Sequence, residues 1–324
     1  MNVLITGGAG FIGSHLAEEL LSRGDDVYII DNLSTGSLKN IETIKNHERC
    51  HVVIDSVLNQ GVVNELVGKC DRVCHLAAAV GVKLIMENPV ETLETNVLGT
   101  EVVLRTANIF KRKVLITSTS EVYGKAMDIQ GDGGALVEES DLLLGPTCKR
   151  RWAYACSKAL DEFLALAYYD EKGLPVIITR LFNTVGPRQI GRYGMVIPTF
   201  VQSALLGKPL PVFGSGNQSR SFTHVDDVVS AMIALMESPG AEGQIFNIGS
   251  SEEITINQLA ERVIKLANSK STIEHIPYER VYGKGFEDME RRYPDLTKVG
   301  RFIGYRPKRG IDDIIRSVIE YYEM

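Results

Sequence analysis

Hydrophobic positions along the 324-residue chain fall into two alternating textures. Compact, β-branched runs occur at Val3 to Thr6, Val27 to Ile30, His51 to Ile54, Arg72 to His75, Val114 to Thr117 and Val176 to Thr179, each continuously apolar or nearly so. Strands covered on both faces read this way, because both sets of alternating side chains point into a core. Between them lie segments of helical length, such as Ile12 to Ser22 and Val90 to Phe110. The βαβα order predicts a mostly parallel sheet, and right-handed crossovers make it doubly wound.

Beyond about residue 180 the strands shorten and Gly and Pro become more frequent. A chain this long usually carries more than one core. The expected organisation is a Rossmann-type α/β domain over 1–180, to which parts of the later chain return, and a smaller α/β substrate-binding domain over 181–324. In the latter, Thr255 to Gln258 has the spacing of a capping box, with Ile256, Leu259, Ala260, Val263 and Ile264 following on one face. Ile311, Ile314, Ile315, Val318 and Ile319 repeat that stripe in the last helix. Both stripes are packing surfaces.

Composition narrows the function mainly by exclusion. A net charge of −6 gives no support for nonspecific binding to nucleic acid or membrane, so an anionic ligand must be held by local arginines or helix ends. The chain opens directly into a strand and shows no internal repeat, which points to a cytoplasmic enzyme-sized protein. Five cysteines without a C-x-x-C pair argue for reduced thiols; Cys70 and Cys74, beside His75, flank a buried-looking strand and are read as packing, not as metal ligands.

Gly7-Gly8-Ala9-Gly10-Phe11-Ile12-Gly13 joins the first strand to the first helix with glycines spaced G-x-x-G-x-x-G. Such a turn lets backbone approach a pyrophosphate at a helix N-terminus. Asp31 ends the second strand where a carboxylate accepts from a ribose 2′-OH and repels a 2′-phosphate, which selects NAD over NADP. Asp55 after the third strand and the small residues Leu76-Ala77-Ala78-Ala79 after the fourth extend this set, to which Asn32, Ser56 and Asn96 are added as cofactor contacts.

Tyr154-Ala155-Cys156-Ser157-Lys158 places a tyrosine and a lysine on one helix face. A phenol is a poor base at neutral pH, but an adjacent ammonium and a bound nicotinamide cation both favour the phenolate. Tyr154 can then take a hydroxyl proton while hydride leaves the same carbon.

With these motifs the chain resembles the extended short-chain dehydrogenase/reductase family, and most closely its nucleotide-sugar branch. The resemblance implies that Ser120 or Thr119 holds the reacting oxygen and that Lys158 also holds the nicotinamide ribose. It implies a crossing to the substrate domain at Arg180 to Arg188, with Asn183 facing the sugar nucleotide. The loop from Val212 and Phe213 to Phe222 is expected to pack on the base and to place Arg220 near the diphosphate; Arg192 and Arg292 are further substrate-facing arginines. A homodimer through helices near 92–110 and 152–172 is also implied.

Glu121, at the end of the fifth strand, separates the branches of that family. A 4,6-dehydratase resembling this chain carries Asp-Glu where this chain has Ser120-Glu121, and a 4-epimerase needs no carboxylate there. "STSEVYGK", "RWAYACSK" and "YGKGFEDMERRYPD" resemble the matching stretches of UDP-glucuronate decarboxylases. That implies a UDP-sugar substrate, UDP-glucuronate first, oxidised at C4 and decarboxylated, with Glu121 managing the proton at C5 and Arg292 holding the carboxylated sugar. The UDP-sugar 4-epimerase reading shares every residue except a required Glu121. A non-catalytic NAD sensor would have no need of the Tyr154 and Lys158 pair.

Overall fold

The computed structural model describes residues 1–81, 85, 88–127, 134–191, 194–282 and 289–324. The apolar runs become the strands β1 (Asn2–Thr6), β2 (Asp26–Asp31), β3 (Cys50–Ile54), β4 (Arg72–His75), β5 (Lys113–Thr119) and β6 (Val176–Leu181). With β11 (Gln244–Ile248) they form one seven-stranded sheet in the order β11-β6-β5-β4-β1-β2-β3, and every pairing in it is parallel. This is the doubly wound order, reversing direction between β1 and β4, and a crevice opens at the strand C-termini there.

Each sheet face has its own core. One packs α1 (Phe11–Ser22) and the later helix Val225–Glu237 against Val3, Ile5 and Leu115; the other packs Gln60–Lys69, Gly99–Phe110 and the long helix α5 (Trp152–Lys172) against Leu4, Val114 and Ile116. Consecutive residues of one strand therefore enter different cores, which is why these strands are apolar throughout. Beyond residue 180 the chain contributes β11 and the helix Val225–Glu237 to the large sheet. A separate core gathers the helices Val196–Leu205, Ile256–Leu266 and Ile311–Glu323. The capping box at Thr255 and Gln258 is formed reciprocally.

The stretch expected as one helix over 90–110 is broken by a turn of wider winding. Pro89–Leu93 is α-helical, Glu94–Leu98 is a π-helical turn, and Gly99–Phe110 is α-helical again. Asn96, fully buried within the π turn, accepts the Ala79 N–H through Oδ1 at 2.8 Å and donates through Nδ2 to Ser157 Oγ at 3.2 Å. The extra residue aims this side chain inward; apolar periodicity does not register such an insertion. No helix among the described residues is long and apolar enough to cross a membrane.

Candidate active site

A cavity of about 460 Å³ lies over the C-terminal ends of β1, β2, β4 and β5 and runs toward the second domain. Its inner end is built by the glycine turn. Gly7 has φ +72°, and a Cβ there would stand 2.8 Å from the Ala77 nitrogen; a Cβ on Gly13 would stand 2.2 Å from the Gly7 carbonyl oxygen. Close packing of turn, helix and strand therefore excludes larger residues. Gly10 begins α1 without any side-chain cap, so the first helical N–H groups open onto the cavity through Gly10, Phe11 and Ile12. An uncapped helix end beside a glycine turn suits a pyrophosphate.

Asp31 lines the same end. Its Oδ2 accepts from the Ala9 N–H at 2.9 Å and its Oδ1 from the Leu33 N–H at 2.8 Å, which fixes the carboxylate while leaving lone pairs for a ribose hydroxyl. Burial raises its pKa against those N–H bonds. Asn32, Asp55, Leu76, Ala77 and Ala78 also line the cavity. Ser56 does not; its backbone N–H donates to Asp55 Oδ1 at 2.7 Å and so orients that carboxylate. Asn96 does not either, and acts on the wall through Ala79. These residues fit a dinucleotide.

The middle of the cavity holds Thr119, Ser120, Glu121, Arg151, Tyr154, Lys158 and Arg292. β5 ends at Thr119, whose hydroxyl caps the 3₁₀ turn Ser120–Tyr123 by accepting the Glu121 N–H at 3.2 Å. Gly124 closes that turn at φ +56°, where a Cβ would lie 2.1 Å from the Leu143 carbonyl oxygen. This sharp exit from the strand is what turns Glu121 into the cavity.

Glu121 sits between two guanidinium groups. Arg292 Nη1 donates to Oε1, and Arg151 Nη2 donates to Oε2 at 3.2 Å. Arg292 Nη2 also donates to Asn183 Oδ1 at 2.9 Å. Burial alone would raise the Glu121 pKa, but Arg292 and then Arg151 prevail and hold it at about 2. Glu121 is thus both a cavity residue and a paired carboxylate. Such a carboxylate accepts hydrogen bonds and gives up no proton in this state.

Tyr154 is pushed well above its ordinary pKa, first by burial and then by the Glu121 charge, while a hydrogen bond with Thr119 works the other way. Lys158 Nζ lies 2.8 Å from Asp161 Oδ2 in a buried pair, so its charge is compensated from behind. The phenol is the resting form.

The expected substrate contacts divide along the outer wall. Asn183 and Arg292 line the cavity, whereas Val212, Phe213 and Arg220 do not. Val212 is fully buried with Leu210 in the second domain's core, because strand β8 (Leu210–Phe213) sends alternate residues inward. Arg220 is spent on backbone carbonyls: Nη1 donates to Ser219 O at 2.7 Å and Nη2 to Met289 O at 2.8 Å. It thereby secures the chain just before Arg292, and its charge is a further, smaller cause of the lowered Glu121 pKa. Arg192 lies outside the described residues.

Arg151 is a cavity residue that the motifs do not single out. Its signal was its place three residues before Tyr154, at the N-cap of α5 and so on the same side. Arg188, also in the wall, was not singled out. It has φ +71° and donates from Nη2 to both oxygens of Glu18 at 2.7 Å, tying the crossing segment to α1. Cys70 and Cys74 are buried, and burial pushes both thiols up to about 12.

Residues 4–318 match the family model described as GDP-mannose 4,6 dehydratase. Over 98% of this chain and 97% of the relative, the sequence is 44% identical to the UDP-N-acetyl-alpha-D-glucosaminuronate decarboxylase of Bacillus cytotoxicus. It is 34% identical to UDP-glucuronic acid decarboxylase 1 of Danio rerio, over 99% of this chain and 72% of that one. Among solved structures, the UDP-glucuronic acid 4-epimerase of Bacillus cereus, crystallised with UDP-glucuronic acid and NAD, superposes with a TM-score of 0.88. It is 27% identical over 100% of this chain and 99% of that one.

Proposed function

This chain belongs to the GDP-mannose 4,6-dehydratase family, and on that premise we propose that it is an NAD-dependent decarboxylase of a UDP-linked hexuronate. The observation that carries the reading is Glu121 held between Arg151 and Arg292 beside Tyr154. Two guanidinium groups against one carboxylate leave a positive surplus where a carboxylated sugar must lie. The glycine turn, the open N-terminus of α1 and Asp31 hold NAD, which supplies uptake of hydride from C4 of the sugar and its later return.

The chain's own residues manage protons and charge. In its phenolate form Tyr154 accepts the proton of the C4 hydroxyl, and Ser120 or Thr119 fixes that oxygen. Once C4 is a ketone, the uronate is a β-keto acid. The bond from C5 to the carboxylate breaks, carbon dioxide leaves, and the electron pair moves into the C4 carbonyl, where the same hydroxyl donors stabilise the oxyanion. C5 must then be protonated. Glu121 takes part only after the substrate carboxylate draws an arginine away, since that removes the charge holding its pKa near 2.

Identity of 44% to a decarboxylase acting on the 2-acetamido sugar favours UDP-N-acetylglucosaminuronate beside UDP-glucuronate as the substrate. Incubation of the purified protein with each, plus NAD, should release carbon dioxide from at least one. UDP-galacturonate as the sole product from UDP-glucuronate would replace this reading by 4-epimerisation. A homodimer is part of the proposal. Exposed Val90, Ile109, Leu160 and Phe163 on Pro89–Phe110 and α5 form the apolar surface that a second copy would cover. Sedimentation should show a dimer that Phe163→Asp dissociates.

A further inference from the structure

Asp161 is buried on α5, behind the cavity wall. It receives Lys158 Nζ at 2.8 Å, and the two side chains are 1% and 3% exposed. A chain of buried hydrogen bonds runs from Thr6 to Thr100 near it, and its polarity can be worked out from the donors. Thr6 Oγ1 accepts the N–H groups of Leu76 and Ala77 at 3.2 and 3.1 Å, so its own proton goes to His75 Nδ1 at 2.7 Å. His75 is neutral: burial, and next the Lys158 charge, lower its pKa to about 3. Its proton therefore sits on Nε2 and is donated to Thr100 Oγ1 at 3.0 Å. The Thr100 proton is left over near the Asp161 carboxylate, whose pKa Thr100 lowers; Oδ1 of that carboxylate is buried without a hydrogen-bond partner among the described residues.

The donors of that chain thus point from Thr6 toward Thr100, and Lys158 is the hydrogen-bond partner that Asp161 has. We propose that Asp161 is a positioning residue: it fixes the Lys158 ammonium at the inner cavity wall and thereby sets how readily Tyr154 parts with its proton. The inference rests on Tyr154 and Lys158 being the redox pair of the proposed function. Asp161 touches neither cavity nor substrate, and acts through Lys158.

The charges around this frame are few. Glu121 follows β5, Arg292 comes from the late loop, and Arg151 lies on the N-terminal side of Tyr154. Glu162 adjoins Asp161 but is taken by Arg180, whose Nη2 donates to it at 2.7 Å. Replacing the Asp161 charge leaves the ammonium uncompensated near Tyr154, which favours the phenolate.

Asp161→Asn, close to isosteric, tests this. Single-turnover reduction of bound NAD by the UDP-uronate, followed by NADH absorbance, should keep its KM while the acid limb of its pH profile moves down by about one unit. The NAD-free protein should bind NAD several-fold more weakly by calorimetry, because the lysine has lost its anchor. Asp161→Ser, also uncharged and smaller, should move both readouts in the same direction, and decides the matter alone if Asp161→Asn does not fold. Unchanged pH profile and NAD affinity in folded variants, or an acid limb moving upward, would overturn the proposal. If wild-type protein reduces no NAD with any uronate, the function reading fails instead, and calorimetry still tests Asp161.

Discussion

The two ends of the cavity are built in opposite ways. At the cofactor end, Gly7, Gly10 and Gly13 share one turn, and Asp31 ends the strand that pairs with β1. At the sugar end, Glu121 meets Arg292 from 171 residues away, and Asn183 joins from a third segment. The first end uses backbone N–H groups and close packing, whose requirements are written in short glycine spacings. The second uses side-chain charges, whose meaning depends on which of them come together. One end is a property of a turn, the other of a fold.

Tyr154 stands at the junction, and its loss should be the largest effect. Tyr154→Phe is expected to lower kcat by about 10³-fold while NAD stays bound, measured by product formation and cofactor content. If turnover survived, the division between a holding end and a reacting end would collapse. Next comes Glu121→Gln, expected to slow carbon dioxide release by roughly 10²-fold without change in NAD affinity.

The same substitution carries a pH test. Glu121 has a depressed pKa in the folded protein, so its stabilisation is present above the ordinary value of 4.5 and is lost as pH falls toward about 2. Acid unfolding of wild type should steepen in that window, and Glu121→Gln should lack that component. Equal acid profiles would show that the arginine pair is not formed in solution.

At the holding end, Gly13→Ala should weaken NAD by about 2 kcal/mol, roughly 30-fold in Kd, since the new Cβ presses on the Gly7 carbonyl. The smallest effect sharpens cofactor choice. Asp31→Ser should improve use of NADP roughly tenfold by removing the repulsion of a 2′-phosphate, read as the ratio of kcat/KM for the two cofactors.

Much of the fold was legible because each strand of the large sheet carries its apolar character in consecutive residues. The π turn at Glu94–Leu98 was not, since one extra residue per turn leaves the apolar count almost unchanged. Within the site, Tyr154, Lys158 and the glycine turn were readable from spacing. Arg151 carries no motif of its own, and Arg220, expected near the diphosphate, has a guanidinium that serves the backbone at Ser219 and Met289. An arginine's spacing does not say whether carbonyls or solvent will meet it.

By itself, then, the sequence determined the doubly wound sheet, the dinucleotide turn and the presence of a Tyr and Lys on one helical face, because each depends on neighbours within a few turns of chain. Tertiary structure alone decided that Glu121 is clasped by two arginines and that the Lys158 and Asp161 pair is buried behind the cavity wall. Electrostatic state depends on distance in space, and those distances are set by strand order and by the return of the last third of the chain.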